Sequence, residues 1–194
     1  MNKKKIIEFF NRLSKSWDEG MIRNEEVISL ILDNANIKKG SEVLDVACGT
    51  GVLFNDYLNR DVKSITAIDI SSEMVKIAKE KFKDERIDII LGDGEEYDFE
   101  KKFDAIVIYN AFPHFTDPDR LIKRLSSFLK PGGRLTIAHG MSRDDINACH
   151  RNTGDDISNT LPEIDELKKL VNKYLDVIIC ISDDKMYQIV AINK

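Results

Sequence analysis

The chain has 194 residues, a length typical of one compact α/β domain. Its formal net charge of −5 argues against a nucleic-acid polymer as the main partner, because such binding needs a basic surface. No apolar run approaches the roughly 20 residues that cross a bilayer, and we expect no secretory leader. We therefore predict a single cytoplasmic domain, residues 1–194, with neither a nucleic-acid nor a membrane partner. The composition leaves the oligomeric state open.

The cysteines and the densest basic run indicate no special chemistry. Cys48, Cys149 and Cys180 are widely spaced and form no CxxC pair. That pattern predicts free thiols in a reducing compartment and not a disulfide framework. Residues 3–5 are all lysine, and we interpret them as a solvated end of the chain.

The first forty residues predict two helices. Apolar residues between Ile6 and Leu13 recur at helical spacing, and a second helical segment ends before Gly40. Trp17 lies in the break between them, where the chain can bend over a pocket. We expect residues 1–40 to form a lid, in which Trp17 contacts the bound ligands. Packing of these helices onto the rest of the domain is the alternative for the same aromatic side chains.

From residue 42 onward, short apolar runs alternate with helices. Five runs have the composition of strands buried on both faces, and two more flank a hairpin turn near the carboxyl terminus. These runs are residues 43–46, 64–70, 87–91, 103–109, 134–138, 177–181 and 187–192. The pattern predicts a Rossmann-like open α/β sheet of about seven strands, mostly parallel, with an antiparallel carboxyl-terminal strand and helices on both faces. We expect residues 41–140 to form a ligand-binding core and residues 141–194 to supply substrate-side helices and the hairpin.

A glycine-rich turn follows the first predicted strand. Residues 45–51 read DVACGTG, and ligands of open α/β sheets bind at the carboxyl ends of the strands. Gly49 and Gly51 allow a sharp turn and a close approach of the backbone to a ligand. Such a turn alone is weak evidence, because tight turns need glycine for purely structural reasons.

Acidic residues end the next two predicted strands. Asp69 follows the glycines by about twenty positions, where a carboxylate accepts hydrogen bonds from ribose hydroxyls. Asp93 ends the third strand and is able to accept a hydrogen bond from an adenine amino group. The alternatives are a helix cap for Asp69, a role that Ser71 or Ser72 could fill instead, and an ordinary turn for Asp93. Together the three strand ends predict a nucleoside site.

The glycine turn fits an adenosyl amino acid better than a dinucleotide. A dinucleotide site usually has a third glycine three residues after the second, and here that position is Phe54. Asp45 beside the turn would repel a pyrophosphate but attract an α-ammonium group. We therefore favour a ligand that combines a nucleoside with an amino-acid head.

Four motifs in this order resemble those of class I S-adenosylmethionine-dependent methyltransferases. They are DVACGTG at residues 45–51, AIDISSEM at 67–74, GDG at 92–94 and LKPGG at 129–133. Residues 10–18, FNRLSKSWD, are similar to the start of the ubiquinone/menaquinone-biosynthesis methyltransferase group. Ala47 stands where many relatives carry glycine, a small-for-small change.

The resemblance implies S-adenosyl-L-methionine as the cofactor and S-adenosyl-L-homocysteine as the product. It assigns the methionine moiety to Asp45, Gly49 and Gly51, and the ribose to Asp69. Ala47, within the same turn, is a further cofactor-binding candidate. It assigns the adenine to Ile70, Met74, Asp93 and Gly94, although Met74 is equally explained as a core residue. Asn110, after the fourth predicted strand, is a further candidate for a polar contact with the cofactor.

All three histidines fall near the predicted ligand edge. His114 or His139 is a candidate catalytic base, and the candidate substrate-side residues are Trp17, Tyr109, His114, Arg143 and His150. We predict no metal. The alternatives are a metal site made of His114, His139 and His150, with or without Cys149, and hydrogen bonds from the histidines to loop backbone.

Methyl transfer to a small-molecule acceptor, by in-line displacement in a water-excluded pocket, is the main hypothesis from the sequence. The short chain supports it, because little beyond the predicted core is left to grip a large substrate. One alternative is a catalytically idle protein that binds the cofactor as a sensor or scaffold. The other is an RNA methyltransferase, which a basic pocket mouth would favour.

Overall fold

The computed structural model describes residues 1–151 and 157–194, so residues 152–156 of the predicted substrate-side segment lie outside it. A seven-stranded sheet in the order β3-β2-β1-β4-β5-β7-β6 forms its framework. The strands are β1 (Glu42–Val46), β2 (Ser64–Asp69), β3 (Ile87–Leu91), β4 (Phe103–Tyr109), β5 (Leu129–His139), β6 (Asp176–Ser182) and β7 (Tyr187–Ile192). Strand β7 runs antiparallel to both of its neighbours, and the pairs among β1 to β5 are parallel. The predicted Rossmann-like fold is confirmed.

Helices connect the strands and precede the sheet. In the described part of the chain they are α1 (Lys3–Leu13), α2 (Glu25–Asn34), α3 (Phe54–Asn59), α4 (Ser72–Lys81), α5 (Pro118–Ser127), α6 (Arg143–Arg151) and α7 (Ile164–Val171). Short 3₁₀ turns cover Ser14–Ser16 and Phe112–His114. None of the helices in residues 1–151 and 157–194 is long and apolar enough to span a bilayer.

Side-chain caps fix where four of these helices begin. Asn2, Asn24, Ser71 and Asp117 each accept a hydrogen bond from the backbone N–H three residues later. Such a bond satisfies one of the N–H groups that have no partner within the first helical turn. Pro118 follows the Asp117 cap at the first position of α5, where its missing N–H is of no consequence.

Helix α5 ends at Ser127, although apolar residues at helical spacing continue through Phe128 and Leu129. Leu129 instead begins β5 and pairs with Phe103 of β4. The Phe103 backbone N–H donates to the Phe128 carbonyl oxygen at 2.8 Å, so the sheet uses a polar group that a longer helix would have needed.

Apolar side chains cover both faces of the sheet. On one face, Ile106 packs with Leu121 of α5 and Leu167 of α7. On the other, Ile65 packs in a cluster that includes Ile31 of α2 and residues of α3 and α4. The helices that follow β1 and β4 thus lie on opposite faces, and this reversal opens a crevice at the carboxyl ends of the two strands.

A buried amide anchors α2 to the antiparallel strand β7. The Gln188 side chain is fully buried; its Oε1 accepts from Asn34 Nδ2 at 2.8 Å and its Nε2 donates to the Ile31 carbonyl oxygen at 3.0 Å. A buried polar group that loses its hydrogen-bond partner destabilises the fold. These two hydrogen bonds therefore fix the position of α2 on the sheet.

We expect Gln188→Leu to lower the free energy of unfolding by about 1–3 kcal/mol, because it removes two hydrogen bonds that join β7 to α2, to the Asn34 amide and to the Ile31 carbonyl oxygen. Urea unfolding measures the loss. A double-mutant cycle with Asn34→Ala isolates the amide pair, and its coupling energy should differ from zero. A stability change below about 0.5 kcal/mol, within the range of ordinary surface substitutions, would contradict the anchoring role.

Candidate functional site

A cavity of about 410 Å³ opens at the carboxyl ends of β1, β2, β3 and β4, beneath the amino-terminal segment. Its volume is in the range of small-molecule sites. Of the predicted cofactor residues, those that line it are Asp45, Ala47, Gly49, Asp69, Ile70, Met74, Asp93, Gly94 and Asn110. Of the predicted acceptor-side residues, those that line it are Trp17, Tyr109 and His114. The predicted residues that lie outside its lining are Gly51, His139, Arg143 and His150.

The glycine turn after β1 has a left-handed backbone at three positions. Ala47, Gly49 and Gly51 have φ values of 60°, 55° and 84°. A Cβ at Gly51 would lie 2.7 Å from the Phe54 ring, so Gly51 is required for packing against α3 and does not face the cavity. A Cβ at Gly49 would meet nothing closer than the Trp17 indole nitrogen at 3.9 Å. Gly49 therefore leaves room for a ligand to approach the backbone closely, which the sequence predicted for both glycines.

The Asp69 carboxylate connects this turn to α4. Its Oδ2 accepts from the Gly49 N–H and its Oδ1 from the Ser71 N–H, both at 2.8 Å. Ser71 is the α4 cap, so Asp69 does not have that role. Burial raises the pKa of Asp69, and the backbone N–H donors act in the opposite direction. Each oxygen keeps acceptor capacity toward the cavity that Asp69 lines.

Asp45, at the end of β1, is almost fully buried. Burial raises the pKa of its carboxyl to about 7, against the opposing effect of the nearby Tyr57 hydroxyl; the Asp69 charge raises it further. A carboxyl in this state ionises readily when a cation arrives beside it.

Burial also raises the pKa of the Cys48 thiol, which fits an inert packing role for this side chain.

Lys3 contacts the end of β3, which corrects our interpretation of residues 3–5 as a solvated end of the chain. Its Nζ lies 2.5 Å from Asp93 Oδ2, 2.9 Å from Glu95 Oε2 and 3.2 Å from Glu96 Oε1. These contacts dock the start of α1 against the predicted adenine end of the cavity. Sequence reasoning did not find this role, because nothing in a run of three lysines distinguishes the one that is paired.

Glu95 is a second residue that sequence reasoning missed. Its carboxylate is buried and accepts from Thr116 Oγ1 at 2.8 Å and from the Asp117 N–H at 2.6 Å. Although burial alone would raise it, these donors and Lys3 hold the pKa of Glu95 below its usual value. Glu95 thus links the end of β3 to the loop before α5. Its position two residues after Asp93, at the predicted ligand edge, was the one feature of the sequence that could have indicated this role.

The amino-terminal segment is fastened over the cavity at several points. Asn11 Oδ1 accepts from the Ser71 hydroxyl at 2.6 Å. Asp18 accepts from Thr50 Oγ1 and from Lys81 Nζ, each at 2.6 Å. Trp17 lies between these anchors, above Gly49. We call residues 1–20 the cap.

The loop after β4 forms the wall of the cavity next to the glycine turn. Asn110 has a φ of 53°, and its Oδ1 accepts from the Gly140 N–H at 3.0 Å, which joins the ends of β4 and β5. His114 Nδ1 lies 3.0 Å from the Ile157 carbonyl oxygen. Because a carbonyl oxygen only accepts, Nδ1 carries the ring proton and Nε2 is the unprotonated nitrogen.

The three histidines are close together, but only His114 lines the cavity. Its ring packs edge-to-face with Phe10 at 4.9 Å and lies 5.0 Å from the His150 ring, measured between centroids. Burial lowers the pKa of His114 to about 4 and that of His139 to about 3. His139 is almost fully buried at the end of β5, near Tyr187, and is not part of the cavity lining. Of the two predicted candidate bases, only His114 therefore lines the cavity.

Arg143, predicted on the substrate side, lies outside the cavity lining and contacts the segment before α7. Its Nε donates to the carbonyl oxygens of Leu161 and Pro162 at 3.1 Å, and its Nη1 lies 3.0 Å from Glu163 Oε1. These bonds hold the segment before α7 against α6. Among residues 1–151 and 157–194, no group of three or more His, Cys, Asp or Glu side chains is arranged to hold a metal ion, so the histidine metal site finds no support.

A Rossmann-like sheet with acidic residues at three strand ends around a glycine turn defines a nucleoside-binding α/β domain. Residues 43–133 match the family described as "Methyltransferase domain". The malonyl-[acyl-carrier protein] O-methyltransferase of Priestia megaterium is 29% identical over 157 residues, 77% of this chain and 57% of that protein. The demethylmenaquinone methyltransferase of Paenarthrobacter aurescens is 34% identical over 110 residues, 56% of this chain and 42% of that protein.

Solved structures share the fold. A chain of the complex between the Haloferax volcanii Trm112 methyltransferase activator and a methyltransferase superposes with a TM-score of 0.81. It is 18% identical, and the match covers 94% of this chain and 96% of that chain. The matched domain and the methyltransferase relatives support the assignment of this chain to the class I S-adenosylmethionine-dependent methyltransferases. It spans about half the length of the curated relatives it matches.

We expect the ring signals of His114 and His139 to show no titration between pH 5.5 and 8, because burial holds both pKa values near 4 or below. Nitrogen-15 NMR of the imidazole rings measures this directly. In urea-unfolded protein the same rings should titrate near pH 6.5. A midpoint above pH 6 for either residue in the folded chain would contradict the burial that the structure shows.

Proposed function

We propose that this protein transfers a methyl group from S-adenosylmethionine to a small-molecule acceptor in the cavity beneath the cap. The observation that supports this most directly is the set of carboxyl groups at three successive strand ends. Asp45, Asp69 and Asp93 all line one cavity, with Gly49 between them. That arrangement suits an adenosine joined to a cationic amino acid.

The sheet order suggests where each part of the cofactor would lie. Strands β3, β2 and β1 are neighbours, so a ligand laid across their ends meets Asp93, Asp69 and Asp45 in turn. Asp93 and Gly94 would contact the adenine, Asp69 the ribose and Asp45 the ammonium group. Ile70 and Met74 line the same part of the cavity and would pack against the adenine ring.

Strand β4 follows β1 in the sheet, so the acceptor would lie against the loop after β4. When bound, the cofactor supplies an activated methyl group on a sulfonium that is also the leaving group. The cap excludes water and the loop after β4 positions the acceptor. His114 lines this space, and its unprotonated Nε2 would take a proton from the acceptor where its nucleophile carries one.

We expect Asp69→Ala to weaken cofactor binding by roughly 10- to 100-fold, because the ribose loses a charge-assisted hydrogen bond of about 1.5–3 kcal/mol. Trp17, the one tryptophan of the sequence, lies above Gly49, so its fluorescence is a suitable reporter of binding. Asp88→Ala on the neighbouring strand is the matched control, because Asp88 is exposed. A dissociation constant within twofold of wild type for Asp69→Ala would refute the ribose assignment.

We expect cofactor affinity to rise with pH between about 6 and 7.5. The pKa of Asp45 is about 7 in the empty site, so below that pH the carboxyl is largely protonated. A neighbouring ammonium favours the carboxylate, so binding at low pH must release a proton, and affinity falls by up to about tenfold per pH unit. Titration calorimetry at pH 6.5, in two buffers of different ionisation enthalpy, counts the protons.

Asp45→Asn provides the control for that experiment, because an amide does not titrate. This variant should bind the cofactor more weakly, and its affinity should lose the pH dependence. If the wild-type chain releases no proton on binding at pH 6.5, the ammonium group does not lie beside Asp45.

A further inference from the structure

Four carboxyl groups and one ammonium group are the charged side chains among the described residues that line the cavity. The carboxyl groups belong to Asp45, Asp69, Asp93 and Glu95, and the ammonium to Lys3. All five are at the ends of β1, β2 and β3 or in contact with them. The wall formed by the loop after β4 carries no charged side chain in this lining.

Lys3 has no capacity to pair with an anionic ligand. Its three carboxylate contacts surround the ammonium group, and one of them, Glu95, is buried. Moving Lys3 toward an acceptor would leave the buried Glu95 carboxylate without its cation, which is strongly unfavourable.

The guanidinium groups of Arg23 and Arg143 are also engaged. Arg23, three residues after the cap, donates to the Val52 carbonyl oxygen at 2.5 Å and pairs with Glu25 and Asp56. Arg143 is bound to the segment before α7. An anionic acceptor would therefore find no unpaired cation among the described residues that line the cavity.

The carboxyl groups lie at the ends of β1, β2 and β3, and the loop after β4 contributes none, so a cationic acceptor against that loop would find no counter-ion in its own wall. Asp93 and Glu95 pair with Lys3, Asp69 accepts two backbone N–H groups, and Asp45 lies where the proposed cofactor places its own ammonium.

Aromatic and aliphatic side chains make up most of the rest of the acceptor side, beside the polar Asn110 and Thr116. Phe10 is at the centre, with Trp17 at 5.6 Å and His114 at 4.9 Å between ring centroids, both edge-to-face. Leu13, Met21 and Phe115 complete this wall. His114 is uncharged near neutral pH, so it offers a hydrogen-bond acceptor and no charge.

We propose, building on the methyl transfer proposed above, that the acceptor is an uncharged and largely apolar small molecule, bound through Phe10 and its aromatic neighbours and not through an ion pair. Carboxylates, phosphate esters and ammonium compounds are excluded as acceptors, since burying their charge here would go uncompensated.

The first test uses the unmodified chain, cofactor labelled in its methyl group and a small-molecule extract of the organism that carries it. The extract is passed over an anion exchanger and a cation exchanger at pH 7, and each fraction is assayed for label transfer. We expect transfer with the fraction that neither exchanger retains. Transfer confined to a retained fraction would overturn the inference but leave the proposed function intact. Transfer with no fraction, from protein that binds cofactor, would refute the proposed function itself.

The second test compares the roles of Phe10 and Lys3 in acceptor binding, by steady-state kinetics with the acceptor identified from the labelled product. We expect Phe10→Ala to raise the KM for the acceptor at least tenfold, and Phe10→Leu to raise it by a smaller factor. The matched control Phe9→Ala should change the same KM less than threefold. We expect Lys3→Met to raise the KM for the cofactor. A tenfold rise of the acceptor KM in Lys3→Met at saturating cofactor, reversed in Lys3→Arg, would mean that Lys3 binds an anionic acceptor and would overturn the inference.

Discussion

The Asp69 carboxylate sets the spacing of the loops from which the cavity is built. One oxygen accepts from the Gly49 N–H in the turn after β1, and the other from the Ser71 N–H at the start of α4. The Ser71 hydroxyl accepts from the Met74 N–H in the first turn of α4 and donates to Asn11, in the segment of residues 1–20 that we call the cap. A buried carboxylate is tolerated only with such donors in place, so the turn, the helix and the cap form one connected polar network.

The ligand edge of this network was predictable because parallel strands end on the same side. A residue that follows a buried strand is thereby placed at that edge, whichever helix comes next. Asp45, Asp69 and Asp93 are 24 residues apart along the chain, yet they line one cavity. The positions of the strands were predictable for a similar reason, since strands buried on both faces are nearly continuous apolar runs. The start of β5 was not, because Leu129 precedes the predicted run at 134–138.

Contacts that depend on tertiary packing could not be predicted. Lys3 reaches Asp93 across ninety positions of sequence, and no local pattern marks it among its lysine neighbours. His139 and His114 both follow strands, so sequence reasoning treated them alike. His139 packs beside Tyr187, away from the cavity lining. His114 lines the cavity, and its ring is oriented by the Ile157 carbonyl oxygen. The end of α5 depended on whether the Phe128 carbonyl would bond within the helix or to β4, which is a tertiary choice.

The cap is held at both of its ends by charges that water can reach. Lys3 meets Asp93 at one end and Lys81 meets Asp18 at the other, and the side chains of both lysines are about one-third exposed. Dissolved ions screen such pairs, since the Debye length shrinks from about 10 Å at 0.1 M salt to about 3 Å at 1 M. Raising the ionic strength would thus weaken both attachments of the cap. If departure of the product past the cap limited turnover, kcat would rise with salt while the methyl-transfer step kept its own rate.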